Sequence, residues 1–197
     1  MTIKIMGIGD AGGYFVRRLY RQQNRQTYTI ITLNSTPHLS DSPHADEVYQ
    51  LKDSGFGTGG NPMLGRQLAE KSKDALYDLL AGTDQLIITA GMGGGTGTGA
   101  AHVVAYVASE LHIPTLAVVS TPFSFEGENR HKIATLGVKA LRKFADDVSI
   151  VSGSLLETTM HNNRAPHFKN LSVPLDDYYT YLCGHVHFDI LRVLNAL

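Results

Sequence analysis

The chain has 197 residues, enough for one domain with a sizeable core, and 43% of them are hydrophobic. Its 18 acidic and 17 basic side chains leave a formal net charge of -1, which gives no electrostatic basis for binding nucleic acid or an anionic membrane. A single cysteine, Cys183, excludes an internal disulfide framework and fits a reducing, cytoplasmic compartment.

Met1-Thr2-Ile3-Lys4-Ile5 runs straight into a strand rather than a secretory leader, and no apolar stretch approaches the ~18 residues of a membrane span. From Ile3 to Ile8 the chain is apolar and β-branched with little alternation, as expected of a parallel strand buried on both faces. It opens into Gly9-Asp10-Ala11-Gly12-Gly13, followed by a helix-like stretch from Tyr14 to about Gln22. Tyr28 to Leu33 reads as a second strand, ended by the turn Asn34-Ser35-Thr36-Pro37 with polar side chains at the strand's carboxyl end. Tyr49-Gln50-Leu51 leads into the loop Gly55-Phe56-Gly57-Thr58-Gly59-Gly60-Asn61-Pro62. Pro62 suits a helix start, with Leu64, Leu68 and Ala75 on one face. Gln85 to Ala90 predicts a strand, Ala100 to Ala108 a helix, and Leu111 to Ser120 and Asp147 to Ser152 two further strands.

One long helix is predicted from about Asp176 to Leu197, with Tyr178, Leu182, Val186, Ile190, Val193 and Leu197 in a stripe at helical spacing. Tyr181, Phe188 and Leu191 lie toward the other side, a face either covered by a partner or left exposed. Cys183, His185, His187 and Asp189 alternate at i, i+2, so on a helix they point apart and do not converge on a metal. With His102 and His131 they read as polar positions on helix surfaces. Strands alternate with helices throughout, which predicts an α/β fold: a mostly parallel sheet with helices on both faces and ligands outside the carboxyl ends of the strands.

The most informative run is Gly91-Met92-Gly93-Gly94-Gly95-Thr96-Gly97-Thr98-Gly99, six glycines in nine positions between a strand and a helix. Glycine buries no side chain, so the run is expected to stand outside packed helix or strand and to offer bare N–H groups. Together with the following helix N-terminus, such groups bind phosphate. Gly7-Ile8-Gly9-Asp10-Ala11-Gly12 matches the dinucleotide pattern, but a dinucleotide fold does not explain the run from Gly93 to Gly99.

The stretch from Thr89 to Ala101 resembles the phosphate loop of the tubulin/FtsZ superfamily, and its FtsZ branch in particular. Gly57-Thr58-Gly59-Gly60-Asn61-Pro62 is similar to the family loop that senses a γ-phosphate, and Pro122-Phe123-Ser124-Phe125-Glu126-Gly127 with Arg130 to the segment at the ribose and base. Order and spacing fit over nearly the whole chain. The resemblance implies a Rossmann-like GTPase-type domain that binds GTP or GDP, with Mg²⁺ arriving on the nucleotide. By the same resemblance Gly9, Asp10, Ala11, Gly12, Gly13 and Tyr14 wrap the α- and β-phosphates. Gly91, Met92, Gly93, Gly94, Gly95, Thr96, Gly97 and Thr98 hold the phosphates from the other side. Gly59 and Gly60 approach the γ-phosphate, Glu126 and Arg130 meet the ribose, Gly153, Tyr178 and Cys183 fall around the base, and Asn34 and Asn61 belong to the same nucleotide site.

The departures concern charge and base recognition. Asp10 and Tyr14 stand where the FtsZ pattern has glycine and asparagine, and a carboxylate beside phosphates repels them unless a metal intervenes. Cys183 falls where the family has the aspartate that reads guanine, and Gly153 or Ser154 where it has an asparagine. Asp146-Asp147 precedes a strand and reads as an ordinary turn. The chain is expected to be a single nucleotide-binding domain over 1–197, ending in the long helix, without the family's second domain and the acidic loop that completes hydrolysis. That implies a nucleotide-binding protein of filament assembly of the cell-division type, with weak or no hydrolysis and no catalytic residues of its own. Its partners would be full-length FtsZ or a second copy of itself. The alternatives are a GTPase that self-assembles through another interface and a scaffold that no longer binds nucleotide.

Overall fold

The computed structural model describes residues 1–20, 28–36, 44–51, 55–162 and 175–196. Its core is a six-stranded sheet of β1 (Ile3–Ile8), β2 (Tyr28–Asn34), β3 (Glu47–Gln50), β4 (Gln85–Gly91), β5 (Thr115–Thr121) and β6 (Asp147–Ser152). The order across the sheet is β3-β2-β1-β4-β5-β6, and every neighbouring pair is parallel. Among the described residues seven α-helices cover it: α1 (Gly9–Tyr20), α2 (Pro62–Lys71), α3 (Lys73–Leu80), α4 (Thr96–Glu110), α5 (Glu128–Leu141), α6 (Gly153–Asn162) and α7 (Leu175–Ala196).

The apolar runs of the strands are explained by two cores, one on each face. Met6, Ile8, Ile31, Leu33, Ile88, Ala90 and Val119 point to the side of α2, α3, α4 and α5. Ile5, Ile30, Ile87 and Val118 point to the side of α1, α6 and α7, where they meet Val16, Leu156, Leu182 and Val186. A strand buried on both sides has no polar face to alternate with, so its sequence reads as one continuous apolar run. The register brings Ile8, Leu33, Ala90 and Val119 to one level, so the loops after β1, β2, β4 and β5 open side by side at the carboxyl edge of the sheet.

Several boundaries differ from those expected. Residues 9–13 are the first turn of α1 rather than a loop before it, because Gly9 at φ 71 turns the chain sharply out of β1. The second glycine run is likewise not all loop: α4 begins at Thr96, so Gly97 and Gly99 are packed helix residues. A Cβ on Gly99 would lie 2.2 Å from the carbonyl oxygen of Pro62, and one on Gly97 2.6 Å from that of Gly91. These glycines let α2 and β4 approach the α4 backbone, a use of glycine that composition does not reveal. The helix expected after Pro62 is two helices, α2 and α3, broken at Ser72, with Leu76 and Leu80 of α3 fully buried. Strand β5 starts at Thr115, since Leu111 is the C-cap of α4 and His112 takes φ 56 in the turn beyond it.

The expected stripe of α7 is its buried face, with Tyr178, Leu182, Val186 and Ile190 in the core and Leu197 outside the described residues. Tyr181 and Leu191 also pack against that core, which leaves Phe188, at 61% exposure, as the open part of the supposed second face. His187 is buried too, not a surface position as the alternating pattern suggested. The helix wraps far enough around α1 and β5 to cover more than one stripe. Among the described residues no helix is long and apolar enough to cross a membrane.

Candidate functional site

At the carboxyl edge of the sheet a cavity of about 890 Å³ opens between the loops. Its floor is backbone. Gly9, Asp10, Ala11 and Tyr14 reach it from the start of α1, and Gly91, Met92 and residues 94–97 from the turn between β4 and α4. Two helix N-termini therefore face one space, each with unpaired N–H groups and the positive end of its dipole. Gly59 and Gly60 close a third side, and Glu126, Arg130 and Cys183 a fourth.

The polar side chains behind this floor hold the loops together. Thr96 Oγ1 lies 2.6 Å from Ser35 Oγ and 3.2 Å from Thr58 Oγ1, so one buried hydroxyl network ties α4 to the loops after β2 and before α2. Gly93 N–H donates to Thr98 Oγ1 at 2.9 Å, closing the glycine turn on itself. Asn61 Oδ1 accepts from Met63 N–H at 2.9 Å and caps α2. Asn34 Nδ2 donates to Asp10 Oδ1 at 2.9 Å, while its own Oδ1 accepts from Ser35 N–H at 2.7 Å.

Glu126 and Arg130 form an ion pair one helical turn apart, and Glu126 also accepts from Phe123 N–H at 2.9 Å. Phe123, Phe125, Tyr178 and Tyr179 make an aromatic cluster beside them, with ring centroids 5.2 to 5.6 Å apart. Partial burial, and next the charge of Glu126, raise the Tyr179 phenol above its ordinary pKa.

Of the residues singled out in the sequence, Gly12, Gly13, Asn34, Asn61, Gly93, Thr98, Gly153 and Tyr178 do not line the cavity. Most of them have another job. Gly12 and Gly153 allow backbones to touch, a Cβ on either lying 2.5 Å from a carbonyl oxygen. Asn34, Asn61 and Thr98 spend their side chains on the bonds just given. Tyr178 is buried, and its neighbour Tyr179 faces the cavity instead, one position along α7. Ser35, Phe56, Thr58, Tyr179 and Asp176 also line the cavity but were not singled out. Thr58 sits inside a loop whose glycines drew the attention, Ser35 was read only as part of a polar turn, and exposed Phe56 carries no pattern of its own.

The model of the tubulin/FtsZ family, GTPase domain, matches residues 2–157. The chain belongs to the tubulin/FtsZ family. It is 40% identical over 164 residues to the cell division protein FtsZ of Coxiella burnetii, an alignment covering 82% of this chain and 42% of that protein. An FtsZ dimer from M. jannaschii superposes with a TM-score of 0.83 at 27% identity, over 94% of this chain and 52% of that one. CetZ2 from Haloferax volcanii, solved as a GTPγS-bound protofilament, superposes with a TM-score of 0.80 at 21% identity. That match covers all of this chain and 59% of CetZ2, and at this identity it speaks to the fold alone. The chain thus spans about half the length of these relatives, and its parallel sheet with helices on both faces is the GTPase-domain fold of the family.

Proposed function

We propose that this domain binds a guanine nucleotide in the cavity at the carboxyl edge of the sheet and serves in filament assembly of the cell-division type. The observation that carries the reading is the convergence of two helix N-termini, those of α1 and α4, on one cavity of about 890 Å³ floored by backbone. A space of that size takes a nucleotide, and its walls divide the work. The turns of residues 9–14 and 91–97 would take the phosphates, Gly59 and Gly60 the terminal phosphate, Glu126 and Arg130 the ribose, and the α7 wall with Tyr179 and Cys183 the base. The membership in the family supports guanine over adenine, although a thiol at Cys183 accepts hydrogen bonds weakly.

Among the described residues no group of three or more His, Cys, Asp or Glu side chains is placed to hold a metal. The donor beside the phosphate-type turns is the Asp10 carboxylate, a hard oxygen ligand, which suits Mg²⁺ carried in on phosphates with most of its waters kept. When bound, the ion would offset phosphate charge. Arg130, tied to Glu126 and within 3.4 Å of the Gly93 carbonyl oxygen, would steady the glycine turn from outside.

Hydrolysis by this chain alone is proposed to be slow, with the protein acting in the cytoplasm on full-length FtsZ or on copies of itself. Calorimetric titration of Mg²⁺ complexes of GTP, GDP and ATP tests the central point. Saturable binding of GTP and GDP alone supports it, and equal binding of ATP would mean that the phosphates are held and the base unread. No binding by folded, nucleotide-free protein overturns it. Phosphate release, with and without added FtsZ, tests the slow turnover.

A further inference from the structure

The charges around the cavity are unfavourable to the ligand just proposed. Among the described residues its lining carries three carboxylates, Asp10, Glu126 and Asp176, against one cation, Arg130. Arg130 is already paired with Glu126. A nucleotide adds several negative charges, so the walls repel it wherever water does not screen them. Asp10 sits at the worst place for a bare phosphate. It belongs to the first turn of α1, where its carboxylate already answers the positive end of the helix dipole.

Asp10 is also the carboxylate best placed to reverse the effect. Glu126 spends one oxygen on Phe123 N–H and the other on Arg130. Asp176 lies on α7, on the wall with Tyr179 and Cys183 and away from the glycine turns. Asp10 is fixed through Oδ1 by Asn34 Nδ2 at 2.9 Å, and its Oδ2 makes no hydrogen bond among the described residues. It lines the cavity beside the two phosphate-type turns, with no basic side chain bonded to it.

We infer that nucleotide enters this cavity as its divalent-cation complex, and that Asp10 supplies an oxygen ligand to that cation. The inference rests on the nucleotide reading above and adds a requirement to it: the metal is needed for binding itself. Asn34 becomes a positioning residue, since its amide holds the carboxylate with one oxygen turned free.

The test compares wild type with Asp10→Asn, which keeps an acceptor for Asn34 and removes the charge. GDP is titrated calorimetrically in Mg²⁺ and again in EDTA, so turnover plays no part. Wild type is expected to lose at least ~10-fold in GDP affinity without the metal. D10N is expected to lose less than ~3-fold, and to bind metal-free GDP more tightly than wild type does. With Mn²⁺ and GDP, the paramagnetic resonance spectrum of the bound ion should differ between the two proteins, because one ligand has changed. Equal affinity of wild type with and without Mg²⁺ would overturn the inference while leaving the nucleotide reading intact, as would a D10N protein with an unchanged metal requirement. Absence of GDP binding by both folded proteins in Mg²⁺ would sink the nucleotide reading and this inference with it.

Discussion

The hydroxyl of Thr96 lies 2.6 Å from that of Ser35, so the first residue of α4 is bonded to the first residue after β2. Ser35 is 1% exposed and Thr96 8%, so neither hydroxyl has water to fall back on. Thr58 joins the pair at 3.2 Å, bringing in the loop before α2. Replacing Thr96 with Val keeps the shape and strands the Ser35 hydroxyl, a buried polar group left unsatisfied. The expected cost is about 1–3 kcal/mol of folding stability, read by urea denaturation. Because the same network sets the spacing of three cavity walls, GDP affinity should fall as well, by more than ~10-fold. Loss of stability with unchanged affinity would show that the network serves the fold alone.

Gly99 tests the packing role of the glycine run. In an open helix Gly→Ala stabilises by about 1 kcal/mol. At Gly99 the new Cβ would meet the Pro62 carbonyl oxygen at 2.2 Å, the Arg66 nitrogen at 2.6 Å and the Gly65 carbonyl carbon at 2.9 Å. All three belong to the α2 backbone, which cannot turn aside as a flexible side chain would. The clash outweighs the propensity, and Gly99→Ala should destabilise by about 2–3 kcal/mol in a denaturant melt. A neutral or stabilised variant would mean that α2 slides away at little cost.

Tyr178 and Tyr179 separate core from site. Tyr178 is 7% exposed and touches both Phe123 and Phe125, so Tyr178→Ala should cost about 3–5 kcal/mol. Tyr179 is 39% exposed and lines the cavity, so Tyr179→Ala should cost under about 1 kcal/mol and weaken GDP binding severalfold. Equilibrium unfolding and calorimetry on the two variants give the comparison. The reverse pattern would put Tyr178, not its neighbour, at the base.

These sites also show what a sequence discloses. The alternation of β-branched runs with helical stretches was enough for five of the six strands, because β1, β4 and β5 are buried on both faces and admit no other pattern, while the short, mostly exposed edge strand β3 went unread. The loops that floor the cavity were legible for a similar reason, since Gly9 at φ 71 and the turn at Gly93 leave little choice of residue. What stayed hidden was the division of labour within those loops. Gly94 and Gly95 line the cavity turn, Gly97 lines it and also lets β4 approach α4, and Gly99 lets α2 and α4 touch, and the letter is the same in each case. The choice between Tyr178 and Tyr179 turns on about 100° of helix rotation, which depends on how α7 docks on α1 and β5. The hydroxyl network was hidden because Ser35, Thr58 and Thr96 are far apart in the chain.

His102 predicts a pH dependence of stability. Its ring is part-buried on α4, and burial lowers its pKa from the ordinary 6.5, with the nearby Thr98 backbone acting the other way. Arg66 and Lys143 lower it further, and Glu70 raises it. The neutral imidazole therefore belongs to the folded state, and the unfolded chain takes up the proton more readily. Stability from this group is fully present above pH 6.5 and falls as the pH drops from there through the lowered folded-state value. Urea denaturation of wild type should show a declining limb over that window, flatter in His102→Gln, which carries no titrating group. Parallel limbs in the two proteins would assign the acid sensitivity to another residue. Because Arg66 and Glu70 lie on α2, the helix that begins beside Gly59 and Gly60, protonation of His102 should also loosen that wall of the cavity. GDP affinity is then expected to fall along with stability below pH 6.5 in wild type, and to fall less in His102→Gln.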